Sequence, residues 1–434
     1  MNRRARGGLP RRVRTALLMA LTAATGLSAL PAQAHGDAAG PASRSGPAPG
    51  VDVGVAPSDA AGLGAEGGFG SRLDPGPGPG SGSVLGSGVG PGSRSGPGSG
   101  PGSRSGSGPG PIHGTVRGDC AGTAPVVCHF ALPPGTYEVT ALLGGATAGR
   151  TAVTAESRRS VLAETATAPG RTVRRGFTVD VRDPEGEPTG PVGSPGLDLR
   201  FGGAAPLLAA LRVTPAPRAP RLFLAGDSTV CDQAAEPYSG WGQQLPRYLR
   251  QGISVANYAD SGEGSQSFLD NPALFPAVEA RVRPGDLVLV QLAHNDKQTR
   301  ADVYRANLTA MVERVRERGG RPVLVTPVVR RWFNTDGTLA NGTALHVNGL
   351  GVDLPAEMRA LAARLDAPLV DLTALTRRRV EERGPEASKA LFLYDEKRDN
   401  THTSERGATE FAALVVGELR AQGLVRASLV RGAP

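Results

Sequence analysis

The sequence predicts an α/β protein built on a parallel sheet covered by helices on both faces, preceded by a small β-sandwich. Three observations carry this. From about residue 218 onward, apolar runs rich in Val and Leu alternate with helical patterns. Between 113 and 217, short stretches of period-two alternation are separated by turn residues. Everything before 113 lacks either pattern.

The N-terminus carries Arg3, Arg4, Arg6, Arg11, Arg12 and Arg14, then the apolar run TALLMALTAATGLSAL, then PAQA before His35. A basic region, a short apolar run and a small-x-small site at Ala32 and Ala34 read as a secretory signal over 1–34, and imply a secreted, extracellular protein. A transmembrane anchor would need about 20 apolar residues, more than this run offers, so no membrane contact is expected once the signal is cleaved. The Arg11–Arg12 pair gives the twin-arginine route only weak support. The formal net charge is +8. Six of the arginines belong to the leader, which holds no acid, so the rest of the chain carries about +2. The basic balance is thus a targeting feature. No basic stripe is interleaved with aromatics, and nucleic acid is not expected as a partner.

Residues 35–112 are dominated by Gly, Pro, Ser and Ala, with PGSRSG at 91 and 101 and a variant PASRSG at 41. Such a segment has almost no apolar surface to bury, so ordering entropy wins and a disordered linker is expected. Whether it serves as a tether or has no role is open from the residues.

In the sandwich region, 113–217, Tyr137, Val139, Ala141 and Leu143 alternate, as do Phe177, Val179 and Val181, and Leu197, Leu199 and Phe201. PPG at 133–135, APG at 168–170 and PTGPVGSPG at 188–196 supply the turns. Cys120 and Cys128 could close a small disulfide loop in an exported protein, or ligate zinc with His129, for which a fourth ligand is lacking. Cys231 is left over, as a small packed side chain. The connector PAPRAPR, 215–221, is short and stiffened by proline, so the sandwich should dock firmly on the α/β domain.

The second domain spans 218–426, with a short tail over 427–434. Its strands are read at RLFLA, ISVANYA, DLVLVQLA, RPVLVTPVV and APLVDLT. Leu308, Met311, Val312 and Val315 share one helix face, and Phe411, Leu414, Val415 and Leu419 another. In sheets of this kind functional residues gather beyond the carboxyl ends of the strands. Ser228, Gly262, Asn295 and Thr326 each follow such a run.

Acyl transfer by a serine needs a base, a group to orient that base, and donors for the oxyanion. Of the six histidines, His35, His113 and His129 lie outside the α/β region, leaving His294, His346 and His402. His402 stands in DNTHTSERGATEF, three residues after Asp399, and an Asp-x-x-His turn can set a carboxylate against the imidazole. Read alone, the same segment could be a helix N-cap region with a solvated histidine. Ser228 is not in a G-x-S-x-G elbow, because Val230 occupies the second glycine position.

Taken together, GDST at 226–229, SGEGSQSF at 261–268, HND at 294–296 and DNTH at 399–402 resemble the blocks of the SGNH (GDSL-type) hydrolase family. The resemblance implies a flavodoxin-like, three-layer α/β/α fold and the catalytic residues Ser228, Asp399 and His402. It also implies an oxyanion hole from Ser228, Gly262 and Asn295, with no metal and no cofactor. His294 and Asp296 would hold the Asn295 loop. GWGQQLP, VANYADSG, RPGDLVLVQLAHND and PVLVTPVVRRWF are similar to segments of rhamnogalacturonan acetylesterases, some of which carry a galactose-binding-like sandwich before the catalytic domain. The expected partner is therefore acetylated polysaccharide, and the expected state a monomer.

One departure bears on substrate. Many members of that family place arginine and serine after the block-two glycine, whereas Glu263, Gly264 and Ser265 follow Gly262 here. Glu263 would repel an acidic substrate, while Arg330 and Arg331 either compensate or form a solvated edge. Two rivals stand beside this reading: an esterase for other acetylated glycans, small esters or lipids, and a non-catalytic carbohydrate-binding wall protein. No long apolar lid segment favours lipid.

Overall fold

The computed structural model describes residues 118–190 and 193–432. The leader and linker read at 1–112, with His35 and His113, lie outside them.

Eight antiparallel strands come first: β1 Asp119–Ala121, β2 Val126–Phe130, β3 Gly135–Gly145, β4 Gly149–Ala155, β5 Arg159–Thr167, β6 Arg171–Val181, β7 Leu197–Ala205 and β8 Leu208–Pro215. They form two sheets, ordered β1-β2-β7-β4-β5 and β6-β3-β8. The alternating apolar residues of β3, β6 and β7 point between the sheets into one buried core. Cys120 faces Cys128 in the β1–β2 register and is joined to it by a disulfide. That removes both thiolates from any zinc site, and His129 instead bonds Asp198 at 2.8 Å.

Five parallel strands complete the described chain: β9 Arg221–Gly226, β10 Ser254–Asn257, β11 Leu287–Gln291, β12 Arg321–Val325 and β13 Leu369–Val370. Their order, β10-β9-β11-β12-β13, is the doubly wound flavodoxin-like one. The chain reverses direction across the sheet between β9 and β11, and ligand sites form outside the carboxyl ends at such a reversal. Along β9, Leu222 and Leu224 face one core while Phe223 and Ala225 face the other. Helices Leu372–Ala387 and Glu405–Ala421 cover the first side; Ala301–Glu317 and Leu354–Arg364 cover the second. Both faces of every central strand are buried, which is why these segments read as unbroken Val/Leu runs.

The sandwich is docked by polar contacts. Arg159, at the start of β5, donates from Nε and Nη2 to one carboxylate oxygen of Asp232 at 2.9 and 2.6 Å, with side chains 2% and 0% exposed. Asp232 also accepts from Asn257 at the end of β10, at 2.8 Å. Arg158 donates to the carbonyls of Gln233 and Tyr238, and Gln243 donates to the Ser157 carbonyl. The segment read as a C-terminal tail packs back rather than trailing: Val430 bridges Leu249, and Arg431 donates to the Gly176 carbonyl of the sandwich. Among the described residues, no helix is long and apolar enough to cross a membrane.

At the same seam, Glu156 lies against the carboxyl of Glu185. Burial, then the neighbouring Glu185 carboxyl, pushes its pKa up to about 9, against the opposing charge of Arg159. The folded protein thus holds a proton there that the unfolded chain releases from its ordinary range near pH 4.5. Folded stability should therefore decline as pH rises from that range toward about 9. Glu156→Gln is expected to raise the melting temperature by a few degrees at about pH 8.5 and scarcely at about pH 4.5. Calorimetry across pH tests this; an offset that does not grow with pH would refute it.

Candidate active site

The β9 strand ends at Gly226, where the backbone turns sharply. A Cβ there would meet Val230 Cγ2 at 2.6 Å and the Gln291 carbonyl at 3.1 Å. The turn is then held by Asp227, whose carboxylate accepts from the amide and hydroxyl of Thr229 at 3.0 and 2.7 Å. Its other oxygen lies 3.0 Å from His294 Nδ1. Burial pushes the Asp227 carboxyl up, but His294 and Thr229 outweigh it and hold the group below its usual range. Ser228 is left half-buried at the tip.

Its Oγ lies 3.0 Å from His402 Nε2, and His402 Nδ1 lies 2.6 Å from Asp399 Oδ2. Asp399 Oδ1 also accepts from the amides of Thr401 and His402 at 2.7 and 3.0 Å. Burial raises the Asp399 pKa, yet the His402 bond and these two amides override it and bring it to about 2. The carboxylate is charged at neutral pH and fixes His402 with its proton on Nδ1, leaving Nε2 to accept from Ser228. The segment is not a solvated cap: Ser404, not Asp399, caps the following helix by accepting from Gly407.

Gly262 has φ +87°, which glycine adopts without strain, and open space where a Cβ would stand. Asn295 donates one Nδ2 hydrogen to the Glu263 carbonyl at 3.0 Å and keeps a second to offer. Asp296 accepts from the amide and hydroxyl of Ser265, tying the Asn295 loop to the block-two loop, and His294 ties it to Asp227. Thr326 is fully buried and bonds Asp371 at 2.9 Å, a structural position. Arg330 is half-buried, but Arg331 is no solvated edge: it is 7% exposed and bonded to Asn400, Ser388 and the Pro385 carbonyl.

The GDSL-like Lipase/Acylhydrolase family matches residues 224–409. Rhamnogalacturonan acetylesterase RhgT of Bacillus subtilis (strain 168) is 37% identical over 220 residues, covering 47% of this chain and 91% of that protein. The chain belongs to the GDSL-like lipase/acylhydrolase family. It is an SGNH-type carboxylic ester hydrolase. The uncharacterized esterase YxiM of the same organism is 30% identical over 308 residues, 68% of this chain and 74% of that protein. The crystal structure of YxiM aligns with a TM-score of 0.44 at 27% identity, over 69% of this chain and 81% of that one.

Several residues around this hydrolase's Ser228 carry no sequence signal. Gln233 Nε2 donates to the Ser228 carbonyl at 2.9 Å, and Tyr238 packs edge-on to the His402 ring at 5.5 Å. Glu187, on a sandwich loop, accepts from the Ser261 amide at 2.7 Å, beside Gly262, and the Thr189 amide next to it donates to Asp260. The sandwich of this SGNH hydrolase thus buttresses both the loop after Ser228 and the block-two loop. Cys231 is buried, its Sγ 3.5 Å from the Ser261 hydroxyl.

Proposed function

We propose that the protein is a secreted serine esterase that removes acetyl groups from plant cell-wall polysaccharide, with acetylated rhamnogalacturonan as its substrate. The observation that carries the chemistry is the Ser228–His402–Asp399 array, with contacts of 3.0 and 2.6 Å. The substrate rests on the likeness to RhgT, and secretion on the basic, apolar leader.

His402 Nε2 takes the Ser228 proton as Oγ attacks the acetyl carbonyl. The amides of Ser228 and Gly262 and the Asn295 side chain take the oxyanion. His402 then protonates the departing sugar hydroxyl, and water repeats the sequence on the acetyl-enzyme to release acetate. Asn295→Ala is expected to lower turnover by about 10²–10³-fold with a smaller change in KM, because a lost oxyanion donor acts on the transition state. A loss below about threefold would remove Asn295 from that role.

A neutral acetylated glycan is the second reading, favoured by Glu263, whose carbonyl holds Asn295 and which brings a carboxyl to the block-two loop. Acetate release from acetylated rhamnogalacturonan, acetylated xylan and simple acetyl esters separates the two. Faster release from xylan than from rhamnogalacturonan would overturn the first.

A further inference from the structure

Between the Ser228 turn and the block-two loop sits a side-chain amide that takes no part in the acyl transfer itself. Gln233 Nε2 lies 2.9 Å from the Ser228 carbonyl, 3.4 Å from the Ser261 hydroxyl and 3.1 Å from Cys231 Sγ. Ser228 carries one of the proposed oxyanion amides, and Ser261 immediately precedes Gly262, which carries the other. The partner at 2.9 Å is a carbonyl, so the amide nitrogen and not its oxygen must face it. One donor group thus touches both loops.

The Ser228 carbonyl has little else to hold it. Among the described residues no backbone amide reaches it, and its other side-chain donor is the weak Sγ–H of Cys231 at 3.6 Å. Ser261 is exposed, and among the described residues its hydroxyl meets only Gln233 and Cys231. The Asp260 amide donates to the Gly226 carbonyl at 3.1 Å, which joins the loops one step below their tips. Gln233 is itself anchored: its backbone carbonyl accepts from Gln243 Nε2 at 2.9 Å and from Arg158 Nη1 of the sandwich at 3.1 Å. A side chain fixed at its root can hold two loop tips at one spacing.

We propose that Gln233 is a positioning residue that sets the spacing of the Ser228 and Gly262 amides by holding the Ser228 peptide and Ser261 at once. It acts only through these two residues. A displacement of about 1 Å in such a donor set costs up to about 10²-fold in rate. The proposal rests on the serine mechanism above.

The test replaces Gln233 by methionine, which keeps its length and removes the N–H donors, and by asparagine, which keeps the amide and shortens its reach. In the whole chain, Gln233→Met and Gln233→Asn should each lower kcat for 4-nitrophenyl acetate about tenfold or more while KM stays within about twofold. Methylboronic acid takes up the Ser228 oxygen as a tetrahedral adduct with a hydroxyl at the oxyanion position, and its affinity should fall by the same factor. Melting temperatures should stay within a few degrees of the wild type. An unchanged kcat, a KM that rises as much as kcat falls, or an unchanged boronate affinity overturns the proposal. Should Gln233→Met fail to fold, Gln233→Asn decides; loss of the fold in both marks a structural residue and overturns it too. Ser228→Ala, run beside them, separates the two readings. If it is inactive and the Gln233 variants are unimpaired, the positioning role alone falls; if it is active, the serine mechanism falls and the positioning role with it.

Discussion

Ser228→Ala is expected to lower ester hydrolysis by on the order of 10⁴-fold or more while the fold and melting temperature stay near those of the wild type. The Oγ atom at the tip of the β9 turn lies 3.0 Å from His402 Nε2, and the serine is half-buried with no core role. His402→Ala should cost a similar factor. The two substitutions together should cost little more than either alone, since serine and histidine act as one unit. Chromogenic acetyl-ester assays with circular dichroism on each variant check this. Retention of more than a few per cent activity by Ser228→Ala would sink the serine mechanism.

The largest effect on stability is expected from Arg159→Ala. It leaves the Asp232 carboxylate, 0% exposed, with Asn257 as its remaining side-chain donor. An unpaired charge in such a place costs about 3–5 kcal/mol. For a body of this size the melting temperature should fall by on the order of 10 °C. Activity should fall with it, because Asp232 lies four residues beyond Ser228 on the loop that the sandwich holds. Replacing both partners by apolar residues, Arg159→Met with Asp232→Leu, should recover much of the loss, since the penalty is that of a stranded charge. A drop of less than about 2 °C in the single variant would show that the seam does not depend on this pair.

The parts of this molecule that are legible from residues are those set by local pattern. The five sheet strands each coincide with a Val/Leu run because both faces are buried, and the sandwich core follows the alternation of Tyr137 to Leu143 and Phe177 to Val181. Strand β8, by contrast, has a largely exposed middle and shows no such alternation. Ser228, Asn295 and His402 were legible because strand ends and a short Asp-x-x-His turn place them. Arg331 was not: its partners stand 57 and 69 residues away, and nothing local distinguishes a buried bonded arginine from a solvated one. Glu187 and Arg158 were invisible for the same reason, since they reach the site from another domain.

The contact between Ser228 and His402 joins residues 174 positions apart. At ribosomal rates of about 5–20 residues per second, Ser228 is made roughly 10–35 s before His402. Throughout that interval the growing chain owns a serine hydroxyl but nothing to take its proton. On the proposed mechanism, hydrolytic competence is therefore expected late, once the helix Glu405–Ala421 can seat the histidine loop. On that mechanism, a chain stalled or clipped before Asp399 is expected to be inert however well its sandwich and sheet have formed, so the onset of ester turnover would report synthesis through the histidine loop and the helix behind it.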